Sequence, residues 1–352
     1  MACQLEAVAI MIEIDIVLSF IWAFVIAVFA IPSIIYVAHL KNLLDEPNYR
    51  TIHASLTPRL GGLAIFAGFM SAVTIFGTVT PQIQRLLASC LILFFIGLKD
   101  DITPVSAFKK FFVQILATGI IIFLGDIKID NFQGFLGIYK LQDGLAYGFT
   151  FLVIVGLTNA FNLIDGLDGL AGTIIMISAA AFGIYFYLSG AQFHPFAQVA
   201  FCLIGGIVGF LRYNLNKAII FMGDTGSLVC GLIVSVLAIQ FVQLRPVDSA
   251  PSIAVAILVV PIFDTVRVFG LRILRGKSPF SPDKNHVHHI LVRAGISQLG
   301  TVATLALINI FTIAMVVYFS YLGNTVLIIS LICYFILFSL ILEYLHRRFK
   351  HN

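Results

Sequence analysis

The chain has 352 residues, 60% of them hydrophobic and 11% charged, with a net charge of +4 and a mean hydropathy of +1.04. Soluble domains carry about 25% charged residues, so this composition excludes a soluble globule and indicates an integral membrane protein. The small positive excess is a topology signal and gives no reason to expect a nucleic-acid partner.

A membrane-spanning helix needs about 20 apolar residues. Eleven runs qualify, at approximately 14–38, 60–80, 83–98, 108–125, 144–162, 168–188, 194–211, 218–241, 250–271, 299–321 and 323–345. None alternates as the strands of a membrane barrel do, which leaves helices that satisfy their own backbone groups. The expected fold is all-α, a polytopic membrane bundle of about 11 (10–11) transmembrane helices forming one domain over 1–352. The first run follows Glu6, Glu13 and Asp15 with no Lys or Arg before it, and is too long for a cleavable signal peptide. Cys3, Cys90, Cys202, Cys230 and Cys333 lie mostly in apolar runs and read as small packing residues.

Of the 21 Lys and Arg residues, all but Arg85, Lys128, Lys140 and Arg245 fall on the face that holds the odd-to-even loops and the C-terminus. The positive-inside rule puts that face in the cytoplasm and the N-terminus outside. The polar clusters fall there too.

In chain order, the first is "LLDEPNYRTIHASLTPRLGGLAIF", where Arg50, His53 and Arg59 precede Gly61 and Gly62. The arginines read as positive-inside anchors or as anion ligands, and the glycine pair permits close helix packing. In "GLKDDITPVSAFKK", Asp100 and Asp101 end one run while Lys109 and Lys110 open the next. Adjacent carboxylates at a bilayer surface repel, and a divalent cation relieves that repulsion; the lysines suit phosphate as point charges. In "NAFNLIDGLDGLAG", Asn159, Asn162, Asp165 and Asp168 recur every three residues, a ribbon drifting about 60° per step on an unbroken helix. The Asp-Gly pairs suggest a helix end near Leu163, with Asp168 as an N-cap of the next span. Carboxylate and amide oxygens suit a hard cation such as Mg²⁺.

In "FMGDTGS", Asp224 is the only charge between Ala218 and Gln240, about 10 Å in from Lys217 at 1.5 Å per residue. That is interfacial depth, consistent with a site at the membrane surface, and a carboxylate within an apolar run is a functional hypothesis by default. Last, "SPFSPDKNHVHHILVRAGIS" has a capping Ser281-Pro282 start and a Gly295 stop. On the helix between them, His286, His289 and Arg293 lie within about 60° of one another, while Lys284 and His288 point nearly opposite. That divergence disfavours zinc and leaves phosphate recognition.

Taken together and in order, these motifs resemble the polyprenyl-phosphate N-acetylhexosamine-1-phosphate transferases, and in the D-K-N-H-V-H-H stretch the bacterial undecaprenyl-phosphate N-acetylglucosamine-1-phosphate branch. The resemblance runs through D-E-P-N-x-R-x-x-H…P-R-L-G-G (45–62), L-K-D-D (98–101), N-x-x-N-x-x-D-G-L-D-G-L (159–170), G-D-T-G-S (223–227) and D-K-N-H-x-H-H-x-L (283–291). It implies transfer of N-acetylglucosamine-1-phosphate, or a close HexNAc-1-phosphate, from the UDP-sugar to undecaprenyl phosphate. The products would be the undecaprenyl-diphospho-sugar and UMP, at the start of cell-surface polysaccharide synthesis. The implied cofactor is Mg²⁺, with Mn²⁺ as a substitute, held by Asn162 and Asp224. Asp100, Asp101, Asp165 and Asp168 are the implied catalytic acids. Arg50, His53, Lys109, Asn159, His286, His288, His289 and Arg293 are the implied substrate ligands. The implied partners are undecaprenyl phosphate, a UDP-N-acetylhexosamine and membrane lipid, with a homodimer among the assemblies allowed. The implied location is the bacterial inner membrane.

The alternatives are the phospho-MurNAc-pentapeptide transferases, which carry a P-x-H-H-H-type loop instead, and a secondary transporter. A transporter would place its acids near the midplane of an internal repeat, and no repeat is present. An intramembrane aspartyl protease would need two facing acids, for which only Asp224 and Asp264 qualify.

Overall fold

A computed structural model of the chain describes residues 2–44, 57–278 and 285–348. The helices are α1 (Ala2–Leu40), α2 (Gly61–Phe76), α3 (Pro81–Ile102), α4 (Ala107–Gly119), α5 (Asp143–Ile164), α6 (Leu170–Leu188) and α7 (His194–Asn214). They continue with α8 (Gly223–Leu244), α9 (Ala250–Ile257), α10 (Val259–Leu274), α11 (Val287–Arg293), α12 (Gln298–Tyr318) and α13 (Gly323–Arg348). One antiparallel hairpin, β1 (Asn131–Phe135) with β2 (Ile138–Lys140), lies between α4 and α5.

Each expected span meets helix, but not all as one full span. Among the described residues nine helices are long and apolar enough to cross a membrane, or up to ten if the bent pair α9–α10 is one span. The run at 60–80 yields a helix of only 16 residues. Buried Gln198 of α7 ends it: its Nε2 donates to Phe76 O (2.5 Å) and its Oε1 accepts from Thr78 N (3.1 Å). The hairpin was not anticipated. It is pinned to the bundle by Gln133 Nε2 donating to Val242 O (2.8 Å) and Asn324 Nδ2 donating to Gln133 O (3.0 Å).

The bundle is built around α8. Every residue from Thr225 to Val242 is buried, as expected of a helix apolar on all sides. It packs against α2, α3, α5 and α6. At its first turn the approach to α2 is so close that a Cβ on Gly62 would lie 2.6 Å from the Gly226 Cα. Without side chains at both positions, the two backbones can touch.

The ninth run is broken. α9 and α10 meet at an angle of 75°, because Pro261 has no N–H to give the Ile257 carbonyl and its ring opposes a continuous helix. The freed carbonyls lie in apolar surroundings and find other donors. Buried Asn309 of α12 donates through Nδ2 to Ala256 O (3.2 Å) and Ile257 O (3.1 Å), and Ser178 Oγ of α6 donates to Ile257 O (3.3 Å). Replacing Asn309 with Leu strips both carbonyls of that donor. The expected loss is about 1–3 kcal/mol, read as a lowered thermal midpoint of the detergent-solubilised protein; an unchanged midpoint would mean that the break is held by packing alone.

Candidate functional site

The motif-bearing ends of α2, α3, α4, α5 and α8 meet at one end of the bundle. Asp224 lies in the first turn of its helix, which starts at Gly223 rather than near Ala218 as the run 218–241 suggested. The backbone ahead of it is knitted to the lead-in of α2 instead. Phe221 N donates to Pro58 O (2.8 Å), and Gly61 N and Gly62 N donate to Phe221 O (2.9 Å) and Met222 O (2.8 Å). The helix opens at Gly223 with φ +72°, where a Cβ would lie 2.6 and 2.7 Å from the Asp101 carboxylate oxygens. Glycine is required there both by the left-handed backbone and by the carboxylate.

Asp224 therefore sits in the first turn of α8, where the helix dipole favours a carboxylate. Asp101 caps the same turn: Oδ1 accepts from Asp224 N (2.7 Å), and Oδ2 accepts from Thr225 N (3.0 Å) and Thr225 Oγ1 (2.5 Å). Lys110 Nζ stands between two acids, donating to Asp224 Oδ2 (2.8 Å) and Asp100 Oδ2 (3.2 Å). Asp100 Oδ1 accepts from Val105 N (2.7 Å). Asn162 Nδ2 donates to Asp224 Oδ1 (3.1 Å) and Ser227 Oγ (2.8 Å). Of the two lysines, Lys110 reaches the acids and Lys109 is exposed, since neighbours on a helix point about 100° apart. Asn159 pairs with Gln114 of α4, giving Nδ2 to Oε1 (2.8 Å) and accepting from Nε2 at Oδ1 (3.3 Å).

Asp165 follows α5 directly. Burial holds its carboxyl well above the usual range; Asp224 and Asp101 push it the same way, Arg59 pulls it down and Asp168 adds a smaller push. Asp168 does not cap α6. The residue at that cap is Gly169, with φ +75° and no capping side chain. Asp168 is buried, and its Oδ2 accepts from Ala218 N (3.0 Å) while Asn214 Oδ1 accepts from Gly169 N (2.8 Å). The carboxylate thus ties the Asp-Gly loop to the segment leading into α8.

Arg50, His53 and Lys284 lie outside the described residues, as does the Ser281-Pro282 start. Asn285 and His286 are not helical, and α11 begins only at Val287. The expected divergence of His288 from the other histidines does not hold. With ψ 149° at His286, its ring leaves the helical register and lies 5.8 Å from the His288 ring at an interplanar angle of 14°. The rings of His288 and His289 are 4.3 Å apart. His286 Nδ1 is 2.7 Å from Asp264 Oδ2 on α10, and Arg293 Nε donates to His289 O (3.2 Å). His288 is 2% exposed, and its Nε2 finds no hydrogen-bond partner among the described residues. That atom lies against the Asp-Gly loop, 2.9 Å from where a Cβ on Gly166 would be. The histidine turn and the Asp-Gly loop are therefore in contact.

An apolar cavity of about 530 Å³ lies along α5 and α10. It extends from Phe132 of the hairpin along Phe149, Val153 and Gly156 of α5 to Ala160, and across to Thr265 of α10. Ala160 and Thr265 of its lining precede Asn162 by two residues and follow Asp264 by one along the chain.

Among the described residues no three acidic, His or Cys groups close on a point that could hold a metal ion. The acids and the Asn162 amide nonetheless form a hard-oxygen set, and the Lys110 ammonium between two carboxylates marks a position that accepts positive charge. Such a set fits a cation that takes one or two protein oxygens and completes its shell from an anionic substrate and water. Sequence reasoning missed Gln114, Thr225 and Ser227, and weighed Asp264 only as a protease acid. A single acid in the apolar run 250–271 was the available signal for it.

Residues 83–242 match the protein family described as glycosyl transferase family 4. The chain is 36% identical over 307 residues to a probable undecaprenyl-phosphate N-acetylglucosaminyl 1-phosphate transferase of Bacillus subtilis (strain 168), covering 86% of this chain and 85% of that protein. It is 32% identical to an undecaprenyl-phosphate alpha-N-acetylglucosaminyl 1-phosphate transferase of Yersinia pestis, over 73% of this chain and 71% of that one. The Escherichia coli (strain K12) protein of the same description is 30% identical, over 74% and 72%.

Burial pushes the His288 imidazole down to about 3, helped by His289 and His286 and opposed by Asp264. Its folded value lies below the ordinary 6.5, so the unfolded chain takes up the proton first as pH falls. The stability tied to neutral His288 is present above pH 6.5 and drains away between 6.5 and 3. His288→Phe should therefore show a shallower fall in thermal midpoint than the parent as pH is lowered through that window. Parallel curves would contradict the buried, neutral imidazole.

Proposed function

This chain belongs to glycosyl transferase family 4, and on that premise we propose that it transfers N-acetylglucosamine-1-phosphate from UDP-N-acetylglucosamine to undecaprenyl phosphate, releasing UMP. The proposed setting is the inner membrane of a bacterium, with the N-terminus outside and the polar end of the bundle facing the cytoplasm. The observation that carries the reading is the linked set Asn162, Asp224, Lys110, Asp100 and Asp101. It draws three separate motifs, carried on four helices, to one point at the end of an apolar bundle.

An anionic lipid and an anionic nucleotide can meet only where the headgroup stays at the interface. The apolar cavity along α5 and α10 includes Ala160 and Thr265 in its lining, and a prenyl chain lying in it would run along the helix that carries Asn162. In the reaction, an oxygen of the lipid phosphate forms a bond to the phosphorus that carries the sugar. The bond from that phosphorus to the bridging oxygen breaks, and its electron pair leaves with UMP. A phosphate monoester has a second pKa near 6 and is mostly a dianion at neutral pH, so no strong general base is needed.

The acids then divide by what their oxygens already do. Both Asp101 oxygens accept hydrogen bonds from the first turn of α8, which suits the support of Asp224 better than proton transfer. Asp224 and Asn162 would hold Mg²⁺, which when bound supplies charge neutralisation on the diphosphate. Lys110 is placed to meet phosphate as a compact point charge. The histidine turn faces the cluster across Gly166 and suits the sugar-diphosphate end of the nucleotide. Asp165 and Asp168 shape the loop between them.

Purified protein should release UMP from UDP-N-acetylglucosamine only when polyprenyl phosphate is added. Asp224→Asn should lower that rate by about 10²–10³ while the thermal midpoint stays near the parent's. Release that does not depend on the lipid, or near-parental turnover by the variant at ordinary Mg²⁺, would overturn the reading.

A further inference from the structure

The α9–α10 break does more than bend a span. It turns α10 so that Asp264 and Arg267, three residues apart and on one face, are directed at the turn before α11. Asp264 is 2% exposed and His286 6%. Oδ2 of Asp264 is 2.7 Å from His286 Nδ1, and Oδ1 accepts from Val287 N (2.8 Å). Arg267 Nη1 donates to Asn285 O (2.8 Å). Three successive residues, 285 to 287, are thus gripped by one helix face.

We propose that Asp264 is a positioning residue for the transfer reaction: its carboxylate fixes the orientation and tautomer of His286 and so holds the histidine turn against the Asp-Gly loop. The proposal rests on the functional reading above only for what the turn binds. An ionised carboxylate can only accept. Facing one across 2.7 Å, Nδ1 of His286 must carry hydrogen, and Nε2 is the nitrogen left for substrate. That assignment is a consequence of the partner, since ring protons follow from the hydrogen bond that the other nitrogen makes.

The neighbours make the geometry consequential. His286 stacks on His288, and His288 sits against Gly166. A rotation of the His286 ring would be transmitted to the contact between the two loops. Asp264 itself lies one residue from Thr265 in the cavity wall. It is nevertheless fully engaged with the turn, so its expected influence is on the nucleotide side rather than on the lipid.

Asp264→Asn isolates the effect. An amide can still accept from Val287 N, but it then presents an NH₂ group to Nδ1 and favours the opposite tautomer. The expected result is a KM for UDP-N-acetylglucosamine raised about tenfold or more, the range found when a partner that orients a ligating histidine is removed. The KM for polyprenyl phosphate should stay within about twofold and the thermal midpoint near the parent's. The double variant D264N/H286A should be no slower than H286A alone, because one residue acts through the other. Equal changes in both KM values, or effects that multiply in the double variant, would overturn the proposal. A second measurement needs neither turnover nor a folded variant at position 264. In ¹⁵N-histidine-labelled parent protein, the resonance absent from H286A should report hydrogen on Nδ1. A bare Nδ1 at His286 would sink the proposal whatever reaction the protein performs.

Discussion

Carboxylates crowded at the end of an apolar bundle repel one another, and the polar architecture of this protein is a set of answers to that repulsion. Asp101 is answered by backbone N–H groups of the first turn of α8. Asp224 is answered by the same helix's dipole, by Lys110 and by the Asn162 amide. Asp168 is answered by Ala218 N. Asp165 has the least compensation, and its carboxyl is accordingly held above the usual range by burial and by Asp224 and Asp101. Lys110 and Arg59 supply positive charge to this cluster, and it gains when further positive charge arrives.

The same logic of obligatory partners governs the backbone. Where Pro261 breaks a span in apolar surroundings, Asn309 and Ser178 serve the freed carbonyls; where α2 stops short, Gln198 serves its end. Irregular backbone at membrane depth is tolerated only when protein groups replace water. The polar residues on α6 and α12 are therefore what permits the broken helix to carry Asp264 and Arg267 toward the histidine turn. The bend and the site are two ends of one construction.

Much of this was legible in the chain. Apolar runs of the right length located the helices, because bilayer thickness sets length and the backbone must be satisfied within each segment. Clustering of Asp, Asn and Lys in a few loops pointed to the candidate site, because ionised groups are too costly within the apolar runs. The helix start just ahead of Asp224 was not legible. The apolar run already begins at Ala218, and the start at Gly223 depends on Pro58, Gly61 and Gly62, distant in sequence, hydrogen-bonding to residues 221 and 222. The grouping of the three histidines was misjudged for a related reason: helical periodicity was extended through His286, whose backbone is extended. Composition cannot reveal a helix start imposed by a partner segment.

Asp100 and Asp101 show how far adjacent, chemically identical residues can part in role. On α3 their side chains leave the axis about 100° apart. One turns toward the lead-in of α4, where Val105 N and Lys110 receive it. The other turns toward α8 and spends both oxygens on that helix's first turn. The close packing of α3 on α8 at Gly97, where a Cβ would lie 2.6 Å from the Thr225 Cα, makes the second arrangement possible. An Asp-Asp pair at a membrane interface invites the idea that both acids share one ion. Here the packing of three helices splits the pair, so that one acid builds the scaffold beneath Asp224 and the other joins the charged surface above it.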